Sequence, residues 1–277
     1  MTYETLSVDI SNGVAHMALN RPKALNTMTR TFWREMREAA ETLDNNPDVR
    51  AVVLSSTGKH FTAGMDLSVF DSLLPTSDAD GATKREQLRR TVLEFQESFS
   101  PLERLKVPVL AAIQGGCIGG GVDMIAATDM RYCTKDAFFC IMEIDIGMTA
   151  DVGTLQRLPH LIPAGLMREL AYTGRRLMAD EANDVGLVNK VYDTQEDMIA
   201  GVLAIAADIA RKAPLAITGT KEMLNYTRDH TVDDSLRYMA TWQAGMLSAA
   251  DMMEAMTARQ QKREAEFGNL LGAASSE

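Results

Sequence analysis

Apolar and polar positions change their period along this chain, and each change marks an element. TLSVDI at 5–10 and VAHMAL at 14–19 alternate, and Ser11-Asn12-Gly13 between them has the composition of a tight turn. This opening predicts a β-hairpin. Pro22 closes its second strand, and from Thr29 to Leu43 the apolar residues Phe32, Met36, Ala39, Ala40 and Leu43 fall at helical spacing. Asn45-Asn46-Pro47 ends that helix. AVVLSS at 51–56 is instead a continuous apolar run, the mark of a strand covered on both faces. After a polar stretch at 71–83 the order repeats, with a helical segment near 84–99 and the strand VPVLAAI at 107–113. Strand, helix and strand in repetition predict parallel strands joined by crossover helices, an α/β fold.

Beyond a glycine-rich segment at 115–121 come the short runs MRYC and AFFCIM, a periodic stretch at 154–172, and LVNKVY at 187–192 as a last short strand. From about residue 194 the pattern is helical to the end. Lys212-Ala213-Pro214 separates two of the helices, and 231–247 and 250–265 mix apolar and charged residues at helical spacing. The chain thus divides into an α/β core, 1–195, and a helical region, 196–277, that covers the core or packs on a neighbouring subunit. There is no repeat of fixed period and no long linker.

Composition narrows the function. With 28 basic and 38 acidic residues the net charge is -10, which opposes a nucleic-acid footprint. The best apolar run, GVLAIAADIA at 201–210, is short and carries Asp208, so no membrane span is expected. Cys117, Cys133 and Cys140 form no CxxC pair and have no His at ligand spacing, which predicts no metal site and a reducing compartment. Neither the N-terminal sequence nor the final GAASSE reads as a targeting signal, and a bacterial-type cytoplasmic location is the expectation.

Familiar catalytic signatures are missing. GGCIGGG at 115–121 is followed by no Lys-Ser or Lys-Thr, and Cys117 breaks a GxGxxG reading. There is no GxSxG and no HExxH, and His16, His60, His160 and His230 are scattered, which assigns each a surface or structural role. What remains is a pair of glycine turns at strand ends, KHFTAGMDL after AVVLSS and IQGGCIGGGVDM after VPVLAAI. Backbone N–H groups in such turns can converge on an anion, and the second turn opens a helix. Together they have the makings of an oxyanion hole. Asp123, just inside that helix, is open to a capping role, and Glu143 and Asp151 to a place in solvated loops.

NRPKALN, AGMDL, GCIGGGVDM, MEIDIGMTADVGTLQRLP and YTGRRLMADEANDVGLVNKV resemble, in order and spacing, the enoyl-CoA hydratase/isomerase (crotonase) superfamily over most of the chain. Within it, DMRYCTKDAFFCIMEIDIGMTADVGTLQRLP is most similar to the corresponding stretch of the Δ3,5-Δ2,4-dienoyl-CoA isomerases. The resemblance implies a crotonase-like spiral of ββα turns with a C-terminal helical trimerisation region. It also implies a trimer or a dimer of trimers, with an acyl-CoA thioester as ligand. Coenzyme A belongs to the substrate, so no separate cofactor is implied. The family's oxyanion-hole amides fall on Met65 and Gly120, and its catalytic acids on Asp123, Glu143 and Asp151. Lys23, Ala63, Gly64, Asp66, Leu67 and Phe70 are the candidate substrate and CoA contacts. Phe61, Met65, Leu67, Val69, Phe70, Leu73 and Leu74 are candidates for an acyl pocket, and Lys59, Lys262 and Arg263 are further candidates for the CoA phosphates.

The implied reaction shifts the double bonds of a 3,5-dienoyl thioester into 2,4-conjugation, as in fatty-acid β-oxidation. A proton leaves C2 and one arrives at C6, four bonds away, which suits two carboxylates better than one. Hydratases of the family carry Glu at both of the first two acid positions and typically glycine at the third, whereas this chain has Asp123 and an added Asp151. Enoyl-CoA hydratase is the alternative reading. A non-catalytic acyl-CoA binder or RNA-binding relative is a third, opposed by the net charge and by three acids beside a thioester.

Overall fold

The computed structural model describes residues 3–69 and 81–270. The expected hairpin is β1 (Leu6–Ser11) against β2 (Val14–Leu19), antiparallel with Leu6 opposite Leu19. Thr29 then caps α1 (Arg30–Asp44), its hydroxyl accepting from the Phe32 amide, and the helix buries Phe32, Trp33, Met36, Ala39, Ala40 and Leu43. Next in order come β3 (Ala51–Ser56), α2 (Gly81–Arg104), β4 (Val109–Ile113), β5 (Gly116–Ile118), α3 (Gly120–Ala126), β6 (Met130–Thr134) and β7 (Phe138–Cys140). The remaining elements are α4 (Thr154–Arg157), α5 (Ala164–Thr173), β8 (Leu177–Met178), α6 (Ala179–Asp184), β9 (Lys190–Tyr192), α7 (Gln195–Ala210), α8 (Pro214–Thr227), α9 (Val232–Met246) and α10 (Ala249–Gln261).

Six strands form one sheet in the order β1-β2-β3-β4-β6-β9, parallel from β2 onward, and β5, β7 and β8 form a second, smaller sheet. The continuous apolar run of β3 has the predicted cause. Val52 and Leu54 face the core shared with α1 and α2, whereas Ala51 and Val53 face Met198, Val202, Ala206 and Ala210, one stripe of α7. The first helix of the C-terminal region is therefore a layer over the sheet.

Three expectations change. The periodic stretch 154–172 is two helices and an intervening 3-10 turn at Leu158–His160, because Pro159 and Pro163 interrupt the ladder. The chain is not helical to its end: α10 stops at Gln261, Lys262 takes a left-handed conformation, and the following residues return to the sheet, where Arg50 donates to the Phe267 carbonyl at 2.6 Å. The helix expected near 84–99 is longer, reaching Arg104.

Candidate active site

Asn26, buried and left-handed (φ 53°), organises the first glycine turn. Its side-chain amide donates to the carbonyls of Thr57 (2.8 Å) and His60 (3.1 Å), and its own carbonyl accepts from the Thr62 hydroxyl (2.7 Å). NRPKALN is thus a bracket around KHFTAGMDL. Met28 then pairs with the turn as a short parallel ladder: its amide donates to Gly64 O (2.9 Å), and its carbonyl accepts from Asp66 N (3.1 Å). With both neighbours spent on Met28, the Met65 amide points the other way, and among the described residues it has no acceptor.

The second turn lies directly against the first. Thr62 N donates to Gly116 O (3.1 Å), Ile118 N to Thr62 O (3.2 Å), and Gly116 N to His60 Nδ1 (2.9 Å). Contact is close enough that a Cβ on Gly64 (φ 87°) would sit 3.0 Å from Ile118 O. The Gly120 amide, at the start of α3, also has no acceptor among the described residues. Two open backbone donors therefore stand on adjacent, tightly bonded turns.

The three acids converge beside them. Gly119 (φ 54°) is the link, because a Cβ there would lie 3.2 Å from Glu143 Oε1. Asp123, 1% exposed, does not cap its own helix; its Oδ1 accepts from Thr154 N at 2.6 Å. Burial pushes Asp123 up to about 6, aided by the nearby Asp151 charge, while hydrogen bonding from Thr154 and the charge of Arg157 pull it back. Glu143, on the 3-10 turn Met142–Ile146, has one buried oxygen, Oε2, without a hydrogen-bond partner. Burial together with the charges of Asp123 and Asp151 pushes it up to about 7. Asp151 is raised by burial, against the hydrogen bond of its own backbone amide, and its carbonyl accepts from Gln96 Nε2 at 2.7 Å.

Other candidates are scattered. Ala63 and Gly64 lie in the first turn, and Lys23 is exposed at its rim, as is Lys59. The Asp66 carboxylate is taken up inside the protein, accepting from the Thr27 hydroxyl (2.7 Å) and from the hydroxyl (2.7 Å) and amide (3.1 Å) of Ser68. Those bonds hold it below the usual carboxylate range, so it shapes the turn. Leu67 is 80% exposed, while Phe61 and Val69 belong to the core. Phe70, Leu73 and Leu74 lie outside the described residues. Arg263 is bound to Glu254 in a two-pronged ion pair (2.6 and 2.8 Å), unlike exposed Lys262. Sequence reasoning missed the roles of His60, Gln96 and Thr154. Only His60, three residues before the AG pair, carried a positional signal.

No helix among the described residues is long and apolar enough to cross a membrane, and no cluster of three or more His, Cys, Asp or Glu among them is arranged for a metal ion.

Apposed glycine turns with open backbone amides on an α/β fold define an oxyanion-binding site, and comparison with known proteins places the fold in a family. The family model described as Enoyl-CoA hydratase/isomerase matches residues 9–270. The chain belongs to that family. It is 47% identical over 266 residues to the mitochondrial Δ(3,5)-Δ(2,4)-dienoyl-CoA isomerase of Rattus norvegicus, covering 95% of this chain and 81% of the relative. To the peroxisomal Δ(3,5)-Δ(2,4)-dienoyl-CoA isomerase of Arabidopsis thaliana it is 43% identical, covering 97% and 99%. Among solved structures, the enoyl-CoA hydratase from Bacillus anthracis matches at a TM-score of 0.86 and 28% identity, covering 96% of this chain and 99% of that one. The fold is crotonase-like. The cytoplasmic expectation is corrected: these isomerase relatives are mitochondrial and peroxisomal, so a sequence without a legible address does not imply a cytoplasmic protein.

Proposed function

We propose that this protein is a Δ3,5-Δ2,4-dienoyl-CoA isomerase. The observation that carries the reading is the third carboxylate. Asp151 shares one cluster with Asp123 and Glu143, and burial raises the proton affinity of all three. The greater identity to isomerases than to the solved hydratase supports the same choice.

In this mechanism the thioester carbonyl accepts from the amides of Met65 and Gly120. Each such donor is typically worth ~2.7–4 kcal/mol toward an enolate-like transition state. Ionised Asp151 removes a proton from C2, whose electron pair forms a C1–C2 double bond as the charge moves onto the carbonyl oxygen, in conjugation with the diene. As it returns, C6 takes a proton from neutral Glu143, leaving the 2,4-diene. Turnover leaves Asp151 protonated and Glu143 ionised, and exchange with solvent restores the starting state. Asp123, close in charge to both, orients the pair and keeps Glu143 neutral. Half-buried Glu143, pushed up to about 7, suits the acid. Lys23, Lys59 and Lys262 stand as CoA phosphate contacts. Exposed Leu224, Val232, Leu236, Met253 and Met256 on the C-terminal helices support a trimer or a dimer of trimers.

The test is a side-by-side ultraviolet assay of the purified protein with a 3,5-dienoyl-CoA and with crotonyl-CoA. Conjugated dienoyl thioester forming much faster than enoyl thioester disappears is the expected result. Hydration alone would establish the hydratase alternative.

A further inference from the structure

Arg157 closes α4, six residues beyond Asp151, and its guanidinium lies under the loop that carries that acid. Nη2 donates to Ser100 Oγ at 3.1 Å, and Nε and Nη2 both reach Glu103 Oε2 at 3.3 Å. The pair is largely withdrawn from water, with side chains 13% and 19% exposed. Gly153 makes room for it: φ is 139°, and a Cβ there would fall 2.0 Å from Arg157 Nη1. The loop is therefore built around the guanidinium. Gln96, Ser100 and Glu103 lie on one face of α2, so the bond from Gln96 to the Asp151 carbonyl and the arginine clamp fasten one loop to one helix. Behind Glu103, Arg228 at the C-terminal end of α8 pairs with the same carboxylate, and Asn225 Nδ2 donates to the Glu103 carbonyl at 3.0 Å.

We propose that Arg157 is a positioning residue for the reaction: it seats the 151–153 loop, and with it the Asp151 carboxylate, and it sets a positive charge behind Asp123. The proposal rests on the reading of Asp123, Glu143 and Asp151 as one acid cluster. The charged groups facing the guanidinium are Glu97 and Glu103 from α2, Arg228 from the end of α8 and Asp123 from α3, and Asp129, Lys221 and His160 line the cavity on its outer side. Asp123 is drawn downward by this cation, so loss of the cation must raise it, and neutralising Glu103 must lower it by leaving the cation unopposed.

The experiment follows the carboxyl titrations by ¹³C NMR, with kcat and KM for the dienoyl thioester, in wild type, Arg157→Gln, Arg157→Lys and Glu103→Gln. The cluster is expected to titrate about half a unit to one unit higher in Arg157→Gln and lower in Glu103→Gln. In Arg157→Gln, kcat falls by about tenfold or more with KM within about threefold, and Arg157→Lys restores the titration but only part of kcat. General loosening cannot produce shifts of opposite sign. Titrations that stay put, or that move together, would overturn the proposal, as would an unchanged kcat in Arg157→Gln. Should Arg157→Gln fail to fold, Glu103→Gln decides alone, and the absence of a downward shift overturns it. A wild type that does not isomerise refutes the functional reading, while the titrations still decide the role of Arg157.

Discussion

The two glycine turns and the arc from 143 to 154 lie side by side and are built on opposite principles. In the turns most polar groups around the two open amides are bonded, with Gln114 Oε1 an exception: Asn26, Thr62 and His60 bind backbone across the turns, and Met28 takes up both neighbours of Met65. In the arc, polar groups are deliberately short of partners. Glu143 keeps a buried oxygen unbonded, and like charges stand close enough to raise one another. Rigid donors must not move when charge develops on the substrate, whereas proton carriers must sit near the midpoint of their own titration. One site thus needs both a satisfied region and a frustrated one.

Removing the frustrated region's base should have the largest effect. Asp151→Asn is expected to lower kcat by about 10²–10⁴, with thioester binding changed only slightly, as read by dienoyl absorbance and by calorimetric titration. Full turnover in that variant would break the division of labour drawn above.

Gly119→Ala strikes where the two regions meet. A left-handed alanine costs about 1–2 kcal/mol, and its methyl crowds Glu143 Oε1, so a drop in melting temperature should come with roughly a tenfold loss of kcat. Wild-type activity in this variant would mean that the carboxylate has room to spare.

The pH profile sharpens the contrast more gently. kcat/KM should fall as pH rises through about 7, where Glu143 loses the proton meant for C6, and again in acid as Asp151 is neutralised. Glu143→Gln removes the C6 acid and so abolishes turnover, but its effect on stability is small and its sign is definite. The folded carboxyl holds its proton up to about 7, whereas the unfolded one releases it near 4.5, so wild-type stability declines between those values as pH rises. The variant should gain nothing near pH 4 and roughly 1–3 kcal/mol above pH 7, measured by urea unfolding. A constant difference at all pH values would show that Glu143 is not buried against its charge.

Local pattern carried the larger elements well. The hairpin, the doubly covered β3 and the α1 stripe were all legible because period and turn chemistry act over a few residues. The small sheet was not, since β5 and β7 have three residues each and β8 has two, too few to display alternation. The acids were legible in order and spacing, but their roles depend on partners far away in sequence: Thr154 binds Asp123 across 31 residues, and Gln96 binds the Asp151 carbonyl across 55. The Asp66 carboxylate likewise has its partner far away in sequence, because Thr27, which donates to it, is 39 residues earlier.

The position of α7 over the sheet matters during synthesis on the ribosome. The apolar face made by Ala51, Val53, Leu110 and Ala112 is complete once β4 has emerged, yet its cover begins only at Met198. At about 5–20 residues per second, the nascent chain holds that face bare for roughly 4–17 s. In that interval the growing polypeptide offers chaperones, and other unfinished copies of itself, a surface that the finished molecule never shows.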